Sequence, residues 1–506
     1  MKDNRPFPIT AAFQEVPFNP EISRPKDLNP TNPSSLEERG ILEFAWKDFI
    51  ALNWPVDCQG NSLSYTDPLT RKPLTQIIGQ APEAPRSWEL YPSPNDVFLK
   101  DGATPPPLDR IPEVVQCLND RAGSEIQYRQ DLRLTETGIL VGQEEFDEAK
   151  RAKSDNLLDG YGELLPGISL ADIDAANHVP LVDRKSNYVI NEIRLNPVEF
   201  NQIVNHKWFD ANNLLPFQDS GATQSFQLAC SEGGSESSRS YCTDYDSTGA
   251  IEIKAVWRVF DAQDTEPEKA RYYTTRRKIV GQNGEILKTQ AELGLIGFHI
   301  MHKTSKQGWI WATFEQVDNA PPCNAPDAKV YTLYNQNCSG ENCQQNWPNV
   351  KAPYLWHIND WESKAVTLDG VAVKNQIPSQ VCRINPIRRT VSDENKIWQK
   401  KLRDVSQSSV WQHYQLVGTQ WLRSPNIPYT SAGADRRQIT PVNPPLTNVA
   451  LEPYAQRVSC IVCHTAARLP GKDKACQLNE SNVNCADFSF LMDNAQFSQP
   501  VSIQSH

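Results

Sequence analysis

Cys460, Cys463 and His464 stand in the order Cys-x-x-Cys-His within YAQRVSCIVCHTAARLPG, residues 454–471. Four chemistries use such a set. Two thiols can add to the vinyl groups of a haem while the adjacent imidazole takes the iron, which is c-type attachment. The thiols can act as a redox dithiol, which calls for a strand-to-helix turn inside a βαβ unit. They can hold zinc together with Cys476 and Cys485, at gaps of two, twelve and eight residues. Structural zinc favours two tight ligand pairs, and that second pair is loosely spaced. They can also close a plain disulfide. With 12 cysteines and 8 histidines among 506 residues, roughly 0.005 such motifs would arise by random placement. Leu451, Tyr454, Ala455 and Val458 follow helical spacing and predict a helix running straight into the motif, with no βαβ pattern around it. Covalent haem is the favoured expectation, with one haem c on Cys460 and Cys463 and His464 as the proximal iron ligand. Zinc, a dithiol and a disulfide are the alternatives.

The opposite side of the iron has several candidates. Only 42 residues follow His464, and Met492, in DFSFLMDNAQ, lies 28 residues beyond it. Its thioether is a possible distal ligand, and its plainer reading is a core filler. In HIMHKT the two-residue period puts His299 and Met301 on one strand face and His302 on the other. These side chains would approach the haem from a sheet, hold a metal of their own, or simply hydrogen-bond a neighbour. His413 is a further distal candidate, and a sixth position open to a small molecule is the remaining option. His178, His206 and His357 have no ligand spacing. Lys254 and Glu315 are expected either to pair across a sheet or to lie on a solvated face.

These residues need elements to position them. Residues 1–35 carry seven prolines and read as an extended arm. A helix follows, with capping-box spacing at Ser34 and Glu37 and an apolar stripe of Leu42, Trp46, Phe49 and Leu52, ending near Pro55. From there to about residue 200 the chain is broken by prolines, with helical stretches such as 143–153. IEIKAVWRVF (251–260), RYYTTRRKIV (271–280), LGLIGFHIMHKT (293–304) and WIWATFEQV (309–317) read as strands, the last two joined by a hairpin at SKQG. Cys230 and Cys242 flank a Ser/Gly-rich loop. Beyond Cys382, SDENKIWQKKLRDVSQ predicts a helix burying Ile397, Trp398, Leu402 and Val405, and HYQLVGTQW a strand. The expected fold is α+β: a central antiparallel β sandwich or open barrel over 201–380, a helical and irregular region over 36–200, and a haem-binding region over 381–506.

The net charge of −11 excludes the basic surface that nucleic acid requires. No run of 18 apolar residues is present, so no membrane span is expected. Setting aside the motif pair leaves ten cysteines, enough for five disulfides and typical of an oxidising compartment. MKDNRPFPITAAF lacks a signal-peptide core, so a periplasmic or secreted location implies an export signal already removed. No Gly-x-Ser-x-Gly elbow, His-Glu-x-x-His, phosphate loop or dinucleotide fingerprint occurs.

FAWKDFIALNWP (44–55), HIMHKTSKQGWIWATFEQVDNAP (299–321), YQLVGTQW (414–421), CIVCH and ADFSFLMDNAQ (486–496) together resemble a group of exported bacterial proteins described only as cytochrome c family proteins. That resemblance implies a haem on Cys460, Cys463 and His464 and leaves the reaction open. The expected function is electron transfer with a redox partner protein. The alternatives are a haem oxidoreductase acting on peroxide, oxygen or a small organic substrate, and a binding or structural protein whose motif holds zinc or a disulfide.

Overall fold

The computed structural model describes most of residues 35–111, 181–347, 378–421 and 445–498, with a few isolated strand residues between these ranges. Ser34, the stretch 143–153, most of the N-terminal arm, and Cys117, Cys242, Cys476, His178 and His357 lie outside the described residues.

The expected α+β organisation is found. β1 (Ile190–Leu195), β2 (Ile251–Val259), β3 (Thr274–Val280), β4 (Ile286–Thr304), β5 (Gly308–Gln316) and β6 (Tyr414–Trp421) belong to one eight-stranded sheet, completed by the two-residue strands Arg129–Gln130 and Arg133–Leu134. The order β6-β5-β4-β2-β1 is antiparallel throughout, β3 pairs with the first half of β4, and the sheet stays open. A strand from each flank therefore joins the central ones.

The 19-residue β4 is the spine. Its register against β2 slips between Leu295 and Gly297, so the strand bends there. The expected hairpin is formed, with Thr304 opposite Gly308. Gly308 sits at φ 66°, a left-handed conformation that glycine adopts without a Cβ clash.

Each sheet face carries its own core. On one face, Phe298, Ile300 and Phe314 meet α1 (Ser35–Leu52) and α3 (Arg389–Val405). Phe49 stacks on Phe314 at 4.3 Å, and Trp46 stacks on Trp398 at 5.9 Å. Burying each of these rings contributes about 1.5–3 kcal/mol. α1 ends before Pro55, as the sequence indicates, because the residue before a proline is driven out of helical geometry. α3 differs from expectation in part. Trp398 and Leu402 are buried, but Ile397 is exposed and Val405 half-buried. Their places are taken by Glu394, which accepts from Trp398 Nε1 at 2.8 Å, and Asn395, which caps the backbone of Leu416 on β6. Pairing to the sheet decided the face, not hydrophobicity alone.

The other face packs α2 (Pro197–Asn205), the Cys-x-x-Cys-His motif and residues 485–495. Asn196 caps α2 by accepting from Glu199 N at 3.0 Å, and Phe200 and Ile203 point into this second core with Leu195, Met301, Trp309 and Trp311.

Candidate functional site

The motif forms α4 (Cys460–His464), a single short helix. Val458 lies outside the described residues, and over the rest of the predicted lead-in no helix forms: residues 449–456 make turns anchored on Asn448, and the helix begins at Cys460. Pro453 has no N–H to give a continuous helix, and Asn448 diverts the chain by accepting through its side chain from Ala450 N at 2.9 Å. The sheet supplies what the lead-in would have. Gln420 on β6 accepts from Ile461 N at 3.1 Å, satisfying a helix-terminal donor, and Cys463 N–H donates to Ser459 O at 3.2 Å. With a three-residue offset, the two thiols share one side of the turn.

Cys460 and Cys463 are not disulfide-linked. Every other described cysteine is: Cys323 to Cys382, Cys338 to Cys343, with Cys58, Cys230 and Cys485 likewise bonded. Cys460 is buried, and burial, with Glu452 and Cys463 adding to it, pushes its thiol well above the ordinary range. A redox dithiol needs the opposite, a thiol driven toward thiolate. Zinc loses a ligand because Cys485 is already bonded. Among the described residues no three His, Cys, Asp or Glu side chains converge as a metal site.

His464 is half-buried, and its Nδ1 donates to the carbonyl of Phe488 at 2.7 Å. A carbonyl can only accept, so the proton sits on Nδ1 and Nε2 keeps the lone pair. Burial lowers its pKa to about 4, so the ring is neutral at ordinary pH. The carbonyl is aimed by an unusual backbone: Asp487 and Phe488 are consecutive left-handed residues, at φ 51° and 68°. Each such residue costs on the order of 1–3 kcal/mol and persists only where its surroundings hold it. Here the hold comes from Asp487, which accepts from Leu228 N at 2.9 Å and forms an ion pair with Lys303, and from Ala486 N, which donates to Ala467 O at 3.1 Å.

Aromatic rings surround His464: Phe490 at 5.1 Å, Trp311 at 5.9 Å and, nearly parallel at 6.1 Å, His299 of β4. His299 is buried, and burial with His464 and Lys254 nearby drives its pKa well down. Trp311 Nε1 and His299 Nδ1 are buried without a hydrogen-bond partner among the described residues. Met492 is fully buried in the same apolar cluster as Cys460, Trp311 and Phe488.

The two-residue period on HIMHKT holds: His299 and Met301 face the motif, while His302 faces α1, between Asp48 and Thr248 O, both at 2.7 Å. His413 lies elsewhere, among Arg271, Asp318 and Lys329, and His206 stacks on Trp208. Both expectations for Lys254 and Glu315, a pair across the sheet or a solvated face, fail for Glu315. Glu315 is buried and accepts from Arg383 and from Gln415 at 2.9 Å, while Lys254 stands opposite His299 in the strand register.

Sequence patterning did not foresee a buried polar cluster on this same face. Glu252 of β2, Glu199 of α2, Asp487 and Lys303 of β4 meet there, all buried. Burial raises Glu252 to about 8, with Asp487 adding to it against the opposing hydrogen bonds of Ser489 and Glu199. Burial also raises Glu199 well above the usual carboxylate range, reinforced by Glu252 and Asp487. The contact between the Glu199 and Glu252 carboxyls is favourable only when a proton lies between them. The one signal in sequence was charged residues recurring at every second position of strands, Glu252 with Lys254 and Lys303 after His299 and Met301.

No family model matches the chain, and neither a curated protein nor a solved structure is similar to it.

Proposed function

We propose that the chain is a c-type cytochrome carrying one haem, exported to the periplasm or beyond, that passes single electrons to or from a protein partner. One observation carries the reading: two unbridged thiols on one helical turn precede a neutral imidazole whose Nδ1 is fixed by a carbonyl, leaving Nε2 to coordinate. The residues present fit such a group. Cys460 and Cys463 would bond it, His464 would take the iron, and Trp311 leaves a buried indole N–H without a partner among the described residues, a donor free for a polar group of the cofactor. Haem held this way supplies a one-electron couple. The protein positions the imidazole through Phe488 and excludes water with Trp311, Phe488 and Ile461. The motif also lies near solvent, with Cys463 and His464 half-buried and Phe490 exposed, which suits electron exchange with a docked partner. The disulfides agree with an oxidising compartment, and the resemblance to exported cytochrome c proteins points the same way.

A haem oxidoreductase is the second reading. The proton-holding pair Glu199 and Glu252, on the same sheet face, is the observation that favours it, since oxygen and peroxide chemistry consumes protons.

The test is export alongside a c-type maturation system, followed by a pyridine haemochrome spectrum of the denatured, washed protein. Covalent haem is expected in the wild type and lost in Cys460→Ala/Cys463→Ala. A correctly folded, exported wild type without covalent haem would sink both readings.

A further inference from the structure

Resting on that reading, we propose that His299 is the second axial ligand, so that the iron is held between two imidazoles, one from α4 and one from β4. His299 and His464 have ring centres 6.1 Å apart and ring planes 17° apart. Two imidazoles on one iron have nearly this separation: two metal–nitrogen bonds of about 2.0–2.1 Å, plus roughly 1.1 Å from each nitrogen to its ring centre, give about 6.2–6.4 Å. Small interplanar angles are allowed because both planes can contain the bond axis.

His299 is also built to stay in place. It lies inside a long strand paired on both sides, opposite Lys254 of β2 and Thr313 of β5, and is only 6% exposed. A ligand on a sheet interior is held more closely than one on a loop. The imidazole is buried and its Nδ1 has no hydrogen-bond partner among the described residues, a cost that ligation through Nδ1 itself would offset. Met492, the other candidate, sits in a tight apolar cluster with Leu491, Phe488 and Ala495, where its thioether already has a packing role. Ligation on both sides would leave no open coordination position, which favours electron transfer over substrate chemistry at the iron.

The experiment uses the exported holoprotein and three variants, His299→Ala, His299→Met and Met492→Leu, each checked for covalent haem by pyridine haemochrome and for folding by circular dichroism. The expected wild type is six-coordinate and low-spin, lacks a methionine–iron charge-transfer band, and resists cyanide. His299→Ala should become high-spin and bind cyanide or added imidazole tighter by roughly a hundredfold or more, because the lost ring acted at high effective concentration. Added imidazole should restore the low-spin spectrum, showing that the variant is folded. His299→Met should gain a methionine–iron band and a higher midpoint potential, and Met492→Leu should match the wild type. A high-spin wild type overturns the proposal, as does an unchanged spectrum in His299→Ala or a spectral change in Met492→Leu alone; in each case covalent haem would leave the motif reading standing. Absence of covalent haem in every protein overturns that reading and this proposal together.

Discussion

Replacing Lys303 with methionine isolates the electrostatics of the buried cluster. The Lys303 ammonium and the Asp487 carboxylate are each 1% exposed and form an ion pair, and Lys303 also donates to Gln227 Oε1 at 3.0 Å. Glu199 and Glu252 lie beside them. Methionine keeps the stem's volume but leaves Asp487 without its counter-charge among two further carboxyls. Breaking such a pair costs about 3–5 kcal/mol while the survivor stays ionised. Burial already raises the Asp487 carboxyl against Lys303's opposing pull, so in the variant it rises further and takes a proton as pH falls, at about 1.4 kcal/mol per unit.

The loss should therefore reach 3–5 kcal/mol near pH 8 and shrink by about half or more near pH 5. Wild-type stability has its own slope. Glu252 rises from 4.5 to about 8 on folding, so the native state keeps a proton that the unfolded chain releases. That contribution is fully present below about pH 4.5 and is lost as pH rises toward 8, by up to about 1.4 kcal/mol per pH unit. Glu252→Gln should flatten this slope, and Lys303→Met/Asp487→Asn, which keeps an acceptor for Leu228 N and a residue tolerant of the left-handed backbone, should recover most of the loss. Urea unfolding at pH 5, 6.5 and 8, followed by tryptophan fluorescence with disulfides intact, measures all four proteins. A loss in Lys303→Met that is equal at pH 5 and 8, or absent at pH 8, refutes the reasoning.

Two further outcomes are expected. His302 faces an acceptor at each nitrogen; burial alone would lower its pKa, but Asp48 and the Thr248 carbonyl outweigh burial and raise it. Its stabilisation is thus present below about pH 6.5 and lost as pH rises through the raised pKa; Asp48→Asn should destabilise by about 1.5–3 kcal/mol near pH 6, and an unshifted histidine resonance titration would contradict this. Cys323 and Cys382 close a span of 59 residues; Cys323→Ala/Cys382→Ala should cost about 4 kcal/mol on chain entropy, whereas Cys338→Ala/Cys343→Ala, spanning 5 residues, should cost distinctly less. Equal midpoints for the two double variants in urea would rule out the loop-length account.

Strand periodicity in IEIKAVWRVF, HIMHKT and WIWATF was legible because successive side chains of an extended strand point to opposite faces, a period of two that needs no knowledge of the rest of the chain. The same period placed His299 and Met301 together and His302 opposite. The cysteine count left Cys460 and Cys463 as the pair outside the disulfides, as all seven other described cysteines are bonded. The chemistry-bearing trio was thus written in local order and number.

What surrounds the trio was not. The apolar spacing before Cys460 predicts a helix, but Asn448 and Pro453 outvote it, and Ile397 loses its buried place to Asn395 because only the sheet edge reveals a polar partner for it. His299 meets His464 across 165 residues of chain, and the Phe488 carbonyl reaches His464 only through two left-handed residues fixed by Lys303 and Leu228. Glu199 and Glu252 likewise meet from a helix and a strand. Local pattern determines which atoms a residue brings and which way it leans. Which distant atoms it meets depends on how the sheet's two faces are covered, and only the folded chain decides that.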